Sequence, residues 1–177
     1  RLFNFLYYWR QRRSKKLSTT HYAPFFYPLD AIGQWNRIYG KRGLLQWQCV
    51  VPDPDVVVRL LETISRSRQG SFLVVLKTFG PLPSPGMLSF PRPGITLALD
   101  FPNLGERTFA LLDRLDALVA ESGGALYPAK DARMSPELFA HSFSRLGEFT
   151  PLVDPAFSSS FWRRVRGEAR SARAKTA

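Results

Sequence analysis

Two glutamines stand one residue apart in LQWQCVV, Leu45 to Val51, a run that otherwise reads as a buried strand. Alternate strand residues point to opposite faces, so Gln46 and Gln48 share one face and Leu45, Trp47 and Cys49 the other. A buried amide needs partners, and a pair of amides can hold the hydroxyls and carbonyls of a polar ligand. Lys77 interrupts the apolar run SFLVVLKTF, Ser71 to Phe79. An interior lysine requires an anion or a hydrogen-bond network. In ITLALDF, Ile95 to Phe101, the residues Thr96, Ala98 and Asp100 alternate with Ile95, Leu97 and Leu99. One sheet face is therefore expected to carry two amides, an ammonium, a hydroxyl and a carboxylate. Such a wall suits a polyhydroxylated or charged ligand; the competing reading is the solvated outer face of an antiparallel sheet. A second cluster is YPAKDAR, Tyr127 to Arg133, where Lys130 follows a short strand beside Asp131 and Arg133. It reads either as a surface turn with a weak ion pair or as a loop that sets a lysine against a ligand.

Other chemistries lack their residues. Cys49 is the single cysteine, so an internal disulfide framework and a thiolate metal cluster are excluded. On the apolar side of a strand it reads as packing. His21 and His141 lie far apart with no metal-ligand spacing around them. The chain has no Gly-rich phosphate loop, no GxSxG and no HExxH. The net charge of +11 invites nucleic acid, anionic lipid or a phosphorylated substrate. Much of it sits in Arg10 to Lys16 and Arg163 to Lys175, which read as solvated tails. Without a zinc-finger, RNP or helix-turn-helix pattern, specific nucleic-acid binding is not expected.

The elements that must position these groups follow from the hydrophobic pattern. The 177 residues, 45% hydrophobic with 14 Phe, 6 Tyr and 4 Trp, suffice for a real core. Residues 1–24 are aromatic, basic and weakly patterned, and Phe25 to Gly43 reads as a loop-rich approach. Leu44 to Val51 is a strand stopped by Pro52-Asp53-Pro54. Asp55 is expected to cap a helix with Val56, Leu60, Leu61 and Ile64 on its apolar side. Ser71 to Phe79 and Ile95 to Phe101 are strands, separated by a proline-rich irregular loop. Thr108 to Ser122 is an amphipathic helix, with Phe109, Leu112, Leu115 and Val119 aligned, ended by Gly123-Gly124. Ala125 to Tyr127 is a short fourth strand. Ser135 and Pro136 open a helix to about Arg145, and a last helix is expected near Ser158 to Arg166. The order β-α-β-β-α-β predicts an α+β, ferredoxin-like fold with both helices on one face of an antiparallel sheet. The other face carries Gln46, Gln48 and Lys77. The expected division is an approach segment over 1–43, a core domain over 44–124, a helical segment over 125–166 and a basic tail over 167–177.

The segments FFYPLDAIGQWNRIYGKRGLLQWQCVVP, SFLVVLKTFGP, LSFPRPGITLALDFP, GGALYPAKDAR and LFAHSF resemble, in order, the FAD-linked oxidases of the vanillyl-alcohol oxidase type. Within that family they are similar to the decaprenylphosphoryl-β-D-ribose 2-oxidases and the related aldonolactone oxidases. The similarity runs from about Phe3 to about Asp154. It implies that 44–124 is the core of a substrate (cap) domain and 125–166 a return of the chain to a flavin domain. It also implies that the flavin-wrapping segment and the family's active-site histidine region lie elsewhere, so that the chain is a C-terminal piece of a longer protein. Alone, it is expected to be inactive and to bind FAD poorly.

The resemblance also assigns roles. Gln46, Gln48 and Lys77 match pocket residues that hold substrate. Lys130 matches a lysine beside flavin and substrate, and Tyr127 a flavin-contacting tyrosine. Phe26 falls where a pocket aromatic is often tyrosine; Thr96 and Ala98 fall where members carry asparagine and cysteine. The implied cofactor is FAD. The implied reaction oxidises a secondary sugar hydroxyl, preferentially the 2-hydroxyl of a polyprenyl-phosphoryl ribose used in cell-wall arabinan synthesis, to a ketone. The alternatives are an aldonolactone oxidase of the D-arabinono-1,4-lactone type, and a basic ferredoxin-like module that binds RNA on its open sheet face. Against the latter, that face lacks the aromatic pair expected for base stacking. A partner reductase and attachment to a membrane surface or the cell envelope, or a cytoplasmic location, complete the expectations, with no transmembrane segment.

Overall fold

A computed structural model of the chain describes residues 2–13, 17, 19–27, 30, 33–130 and 133–168. The chain divides into two units, Arg1–Ile38 and Tyr39–Ala177.

The N-terminal unit contains α1 (Leu2–Arg13) and α2 (Tyr22–Phe26), where the sequence predicted only a weakly patterned approach. Helix α1 has no apolar stripe to reveal it: Leu2, Phe5, Leu6, Tyr8 and Trp9 are all exposed. It is supported locally instead. Phe5 meets Trp9 edge-on with ring centres 6.2 Å apart, a one-turn spacing. Arg10, Arg12 and Arg13 fill the last turn, where positive charge opposes the helix dipole. His21 caps α2 by accepting the Ala23 N–H at Nδ1, 3.2 Å away.

The second unit is built on four strands, β1 (Leu44–Val51), β2 (Val74–Phe79), β3 (Gly94–Pro102) and β4 (Ala125–Leu126). All neighbours are antiparallel, in the order β2-β3-β1-β4. Helix α3 (Pro54–Ser67) joins β1 to β2, and α4 (Glu106–Glu121) joins β3 to β4. This is the predicted ferredoxin-like α+β arrangement. Trp47, Cys49, Val51, Leu97, Leu99 and Phe101 meet Val56, Leu60, Ile64, Leu112, Leu115 and Val119 in the main core.

Three details of the helices differ from the prediction. Asp53, not Asp55, caps α3: its carboxylate accepts the Asp55 N–H at 2.8 Å. Pro54 can occupy the first helical position because the missing N–H is unpaired there anyway. Leu61 is 44% exposed, while Val57 takes the buried place beside Val56 and Leu60. Helix α4 buries Leu111 alongside Leu112, Leu115 and Val119, and leaves Phe109 only half-buried. Gly123, at φ +70°, turns the chain out of α4.

The helices α5 (Pro136–Ser142), α6 (Leu146–Phe149) and α7 (Ser160–Val165) complete the core with Phe139, Phe143 and Val165. Ser135 caps α5 as predicted, but the helix ends at Ser142, where Phe143 leaves the helical conformation (φ −132°, ψ 86°) with its ring buried. Strand β4 and these helices lie in the same unit as β1 to β3. Among the described residues, no helix is long and apolar enough to cross a membrane.

Gly94 sets the entry to β3. Its φ is +143°, and a Cβ there would lie 2.4 Å from the Val51 carbonyl oxygen. Both conditions exclude a side chain. Gly94→Ala is expected to lose about 2 kcal/mol of stability, read as a lowered urea midpoint with an unchanged slope. An unchanged midpoint would mean that β1 and β3 separate freely at this end.

Candidate functional site

The register sets the polar face. Gln46 pairs with Asp100, Gln48 with Ala98, and Thr96 with both Val50 and Lys77. Cross-strand partners share a face, so these residues lie opposite α3 and α4, as the alternation predicted. The Gln46 amide donates to Asp100 Oδ1 at 3.0 Å. The Gln48 amide donates to Thr96 Oγ1 at 2.9 Å. Both glutamines are thus held by partners within the sheet and remain partly accessible above it.

A groove of about 510 Å³ opens at the β4 end of this face, lined by Gln48, Lys77, Phe79, Phe90, Tyr127 and Lys130, among others. Three local devices assemble it. First, the Tyr127 N–H donates to the Gln48 carbonyl at 2.9 Å and extends the β1–β4 pairing by one residue. Second, a 3₁₀ turn at Pro128–Lys130 follows, closed by the Lys130 N–H on the Tyr127 carbonyl at 3.1 Å. This turn brings a half-buried Lys130 to the groove. Third, the irregular segment 80–93 folds across the face and adds Leu88, Phe90 and Pro91. Arg92 anchors it: its Nη2 donates to the Ser142 carbonyl at 2.7 Å, and its guanidinium lies 5.8 Å from the Phe143 ring centre.

Phe90 is 5% exposed and touches Phe79 edge-on at 6.0 Å and Tyr127 tilted at 4.8 Å. These rings, with Val50 and Ala125, form a second, smaller apolar cluster. Aromatic rings therefore do lie on this face. The rings are engaged with one another, however, and Phe90 is too buried to stack on a base.

Gln48, Lys77, Tyr127 and Lys130 converge on the groove, and Gln46 lies two residues along the same face. Lys77 is exposed, not interior. Strand β2 is an edge, so its long side chain reaches water and meets no burial cost. Thr96 is 2% exposed and acts beneath Gln48 rather than at the surface. Ala98, opposite Gln48, leaves a small, unreactive position on the same face. Phe26 lies exposed in the N-terminal unit, edge-on to Phe25 at 5.0 Å. Arg133 turns away from Lys130 and binds Asp113 and Asp116 on α4; Asp131 lies outside the described residues. Sequence reasoning missed Phe79, Leu88, Phe90 and Pro91. Alternation from Lys77 would have found Phe79, whereas the loop residues carry no periodic signal.

Burial pushes the Cys49 thiol up to about 12, so it is a packing residue and no nucleophile. Among the described residues, no group of three or more His, Cys, Asp and Glu can hold a metal ion. The site's chemistry is thus two ammonium groups, two oriented amides and an aromatic wall. It can hold anionic or carbonyl oxygen and hydroxyl groups beside a flat ring.

No protein-family model matches the chain. It is 38% identical over 167 residues to a protein named decaprenylphosphoryl-beta-D-ribose oxidase from Mycolicibacterium smegmatis, covering 90% of this chain and 36% of that protein. It is also 36% identical over 130 residues to an uncharacterized protein in the mprA 5' region of Streptomyces coelicolor, covering 70% of this chain and 35% of that one. The chain thus spans about a third of the length of either relative. The resemblance read from its residues stands: over 90% of its length, this chain is similar to part of a decaprenylphosphoryl-beta-D-ribose oxidase.

Proposed function

We propose that the protein carrying this chain is an FAD-dependent oxidoreductase that oxidises the 2-hydroxyl of a polyprenyl-phosphoryl ribose to a ketone. The observation that carries this reading is the convergence of Gln48, Lys77, Tyr127 and Lys130 on one groove, in a chain similar to a protein of that name. The donor set fits a flavin: an aromatic wall suits the edge of a planar ring, and ammonium groups suit its negative charge. When bound, FAD supplies a two-electron acceptor. Tyr127 and Lys130 would lie beside it. Lys130 holds negative charge in place and orients the reacting hydroxyl; Gln46, Gln48 and Lys77 hold the sugar, with Thr96 supporting Gln48. Phe26 is assigned to the substrate on the resemblance alone.

In this reading 44–124 is the core of the substrate domain and 125–166 belongs to a flavin domain completed by other polypeptide. The excess positive charge suits a phosphate head group at a membrane surface, and a partner reductase would accept the electrons. An aldonolactone oxidase is the alternative. The test is anaerobic reduction of the purified, full-length flavoprotein. Farnesylphosphoryl-β-D-ribose should bleach the flavin and yield a ketone, and D-arabinono-1,4-lactone should not. Bleaching by the lactone alone would install the alternative. A protein without flavin, whose salt-dependent binding of RNA is abolished by Lys77→Ala, would overturn both.

A further inference from the structure

Beneath the accessible Gln46 lies a carboxylate with no direct role in the groove. Asp100 is 3% exposed. Its Oδ1 accepts the Gln46 amide, while Oδ2 is buried without a hydrogen-bond partner. Its backbone N–H donates to Ser71 Oγ at 2.9 Å. Tyr39 is close enough that its hydroxyl is raised by burial and then by the charge of Asp100. Burying a carboxylate with one acceptor atom unused is costly, so a residue of this kind calls for a compensating role.

Hydrogen-bond chemistry supplies one. An ionised carboxylate only accepts. Facing it, Gln46 must turn its NH₂ inward, which leaves its Oε1 on the open side. Gln48 is under no such constraint, because the Thr96 hydroxyl can either donate or accept. The wall is therefore polarised: Gln46 is a fixed acceptor, whereas Lys77 and Lys130 are donors. A ligand with a hydroxyl at one end and an anionic or carbonyl oxygen at the other is read in one orientation only.

We infer that Asp100 is a positioning residue, which locks the Gln46 amide so that Gln46 Oε1 accepts a sugar hydroxyl other than the one oxidised. The inference rests on the oxidoreductase reading above and adds to it the polarity of substrate recognition.

The test is a double-mutant cycle in the full-length flavoprotein with farnesylphosphoryl-β-D-ribose. Asp100→Leu and Gln46→Leu should each raise KM roughly tenfold, with kcat changed by less than about twofold. The double variant should be no worse than either single one, because both remove the same interaction. Asp100→Asn can donate as well as accept, so it leaves Gln46 free to flip and should recover only part of the loss. Independently, one of the 3-fluoro and 5-fluoro ribosyl analogues, which cannot donate at that position, should lose about tenfold in the unaltered protein. It should lose nothing further in Gln46→Leu; this arm decides the matter even if Asp100→Leu does not fold. Additive effects, or a folded Asp100→Leu with normal KM, would overturn the positioning role alone. No fluoro analogue losing affinity would overturn the acceptor role. A normal KM in Gln46→Leu would remove Gln46 from the binding wall and with it this part of the proposed function.

Discussion

Lys130→Ala in the full-length flavoprotein is expected to reduce turnover roughly a thousandfold while the flavin absorbance persists. The turn at Pro128–Lys130 brings this lysine to the groove that Tyr127, Gln48 and Lys77 also line. A positive charge fixed in a partly water-excluded site stabilises developing negative charge far better than solvent does. The residue is half-buried, on a turn closed by a backbone hydrogen bond, so little reorganisation is needed at the moment of reaction. Lys77→Ala provides the contrast. Lys77 is exposed on an edge strand, and its loss should raise KM by about tenfold with a smaller change in kcat. Near-normal turnover in Lys130→Ala, with flavin bound, would remove the role given to this lysine.

Asp116→Ala is expected to destabilise the second unit by about 3 kcal/mol and to lower its melting temperature by about 10 °C. Asp116 is 7% exposed and lies on α4. Its Oδ1 accepts the Trp47 indole N–H at 2.7 Å, and its Oδ2 accepts Arg133 Nη2 at 2.9 Å. One carboxylate therefore ties β1, α4 and the segment before α5 together. Truncation deprives the indole of its acceptor and takes one anion from a mostly buried guanidinium, and each loss carries a desolvation penalty. Asp113 also binds Arg133, but its side chain is 67% exposed. Asp113→Ala should therefore cost less than about 1 kcal/mol. Equal melting temperatures for the two variants would show that burial does not set the strength of this network.

The same two-residue period that made LQWQCVV legible as a strand also placed Gln46 and Gln48 opposite the helices, because strand alternation is local and leaves no freedom once one face is buried. The α4 stripe and the Ser135-Pro136 helix start were legible for the same reason: each is encoded within a few consecutive residues. Helix α1 was not, since its apolar residues surround the axis and no period separates inside from outside. Lys77 was misjudged because β2 is an edge, and strand order is a non-local property.

From its sequence alone this protein determined its four strands, the helices α3, α4 and the start of α5, and the face on which its amides lie. Only the tertiary structure decided which groups share a groove. Residues 80–93 have no repeating pattern, yet the Arg92 anchor on Ser142 lays Phe90 against Phe79 and Tyr127. Only strand pairing set the buried Asp100 against Gln46. Local pattern reflects the burial of one face, whereas a site is a meeting of distant segments, fixed by contacts that no window of sequence contains.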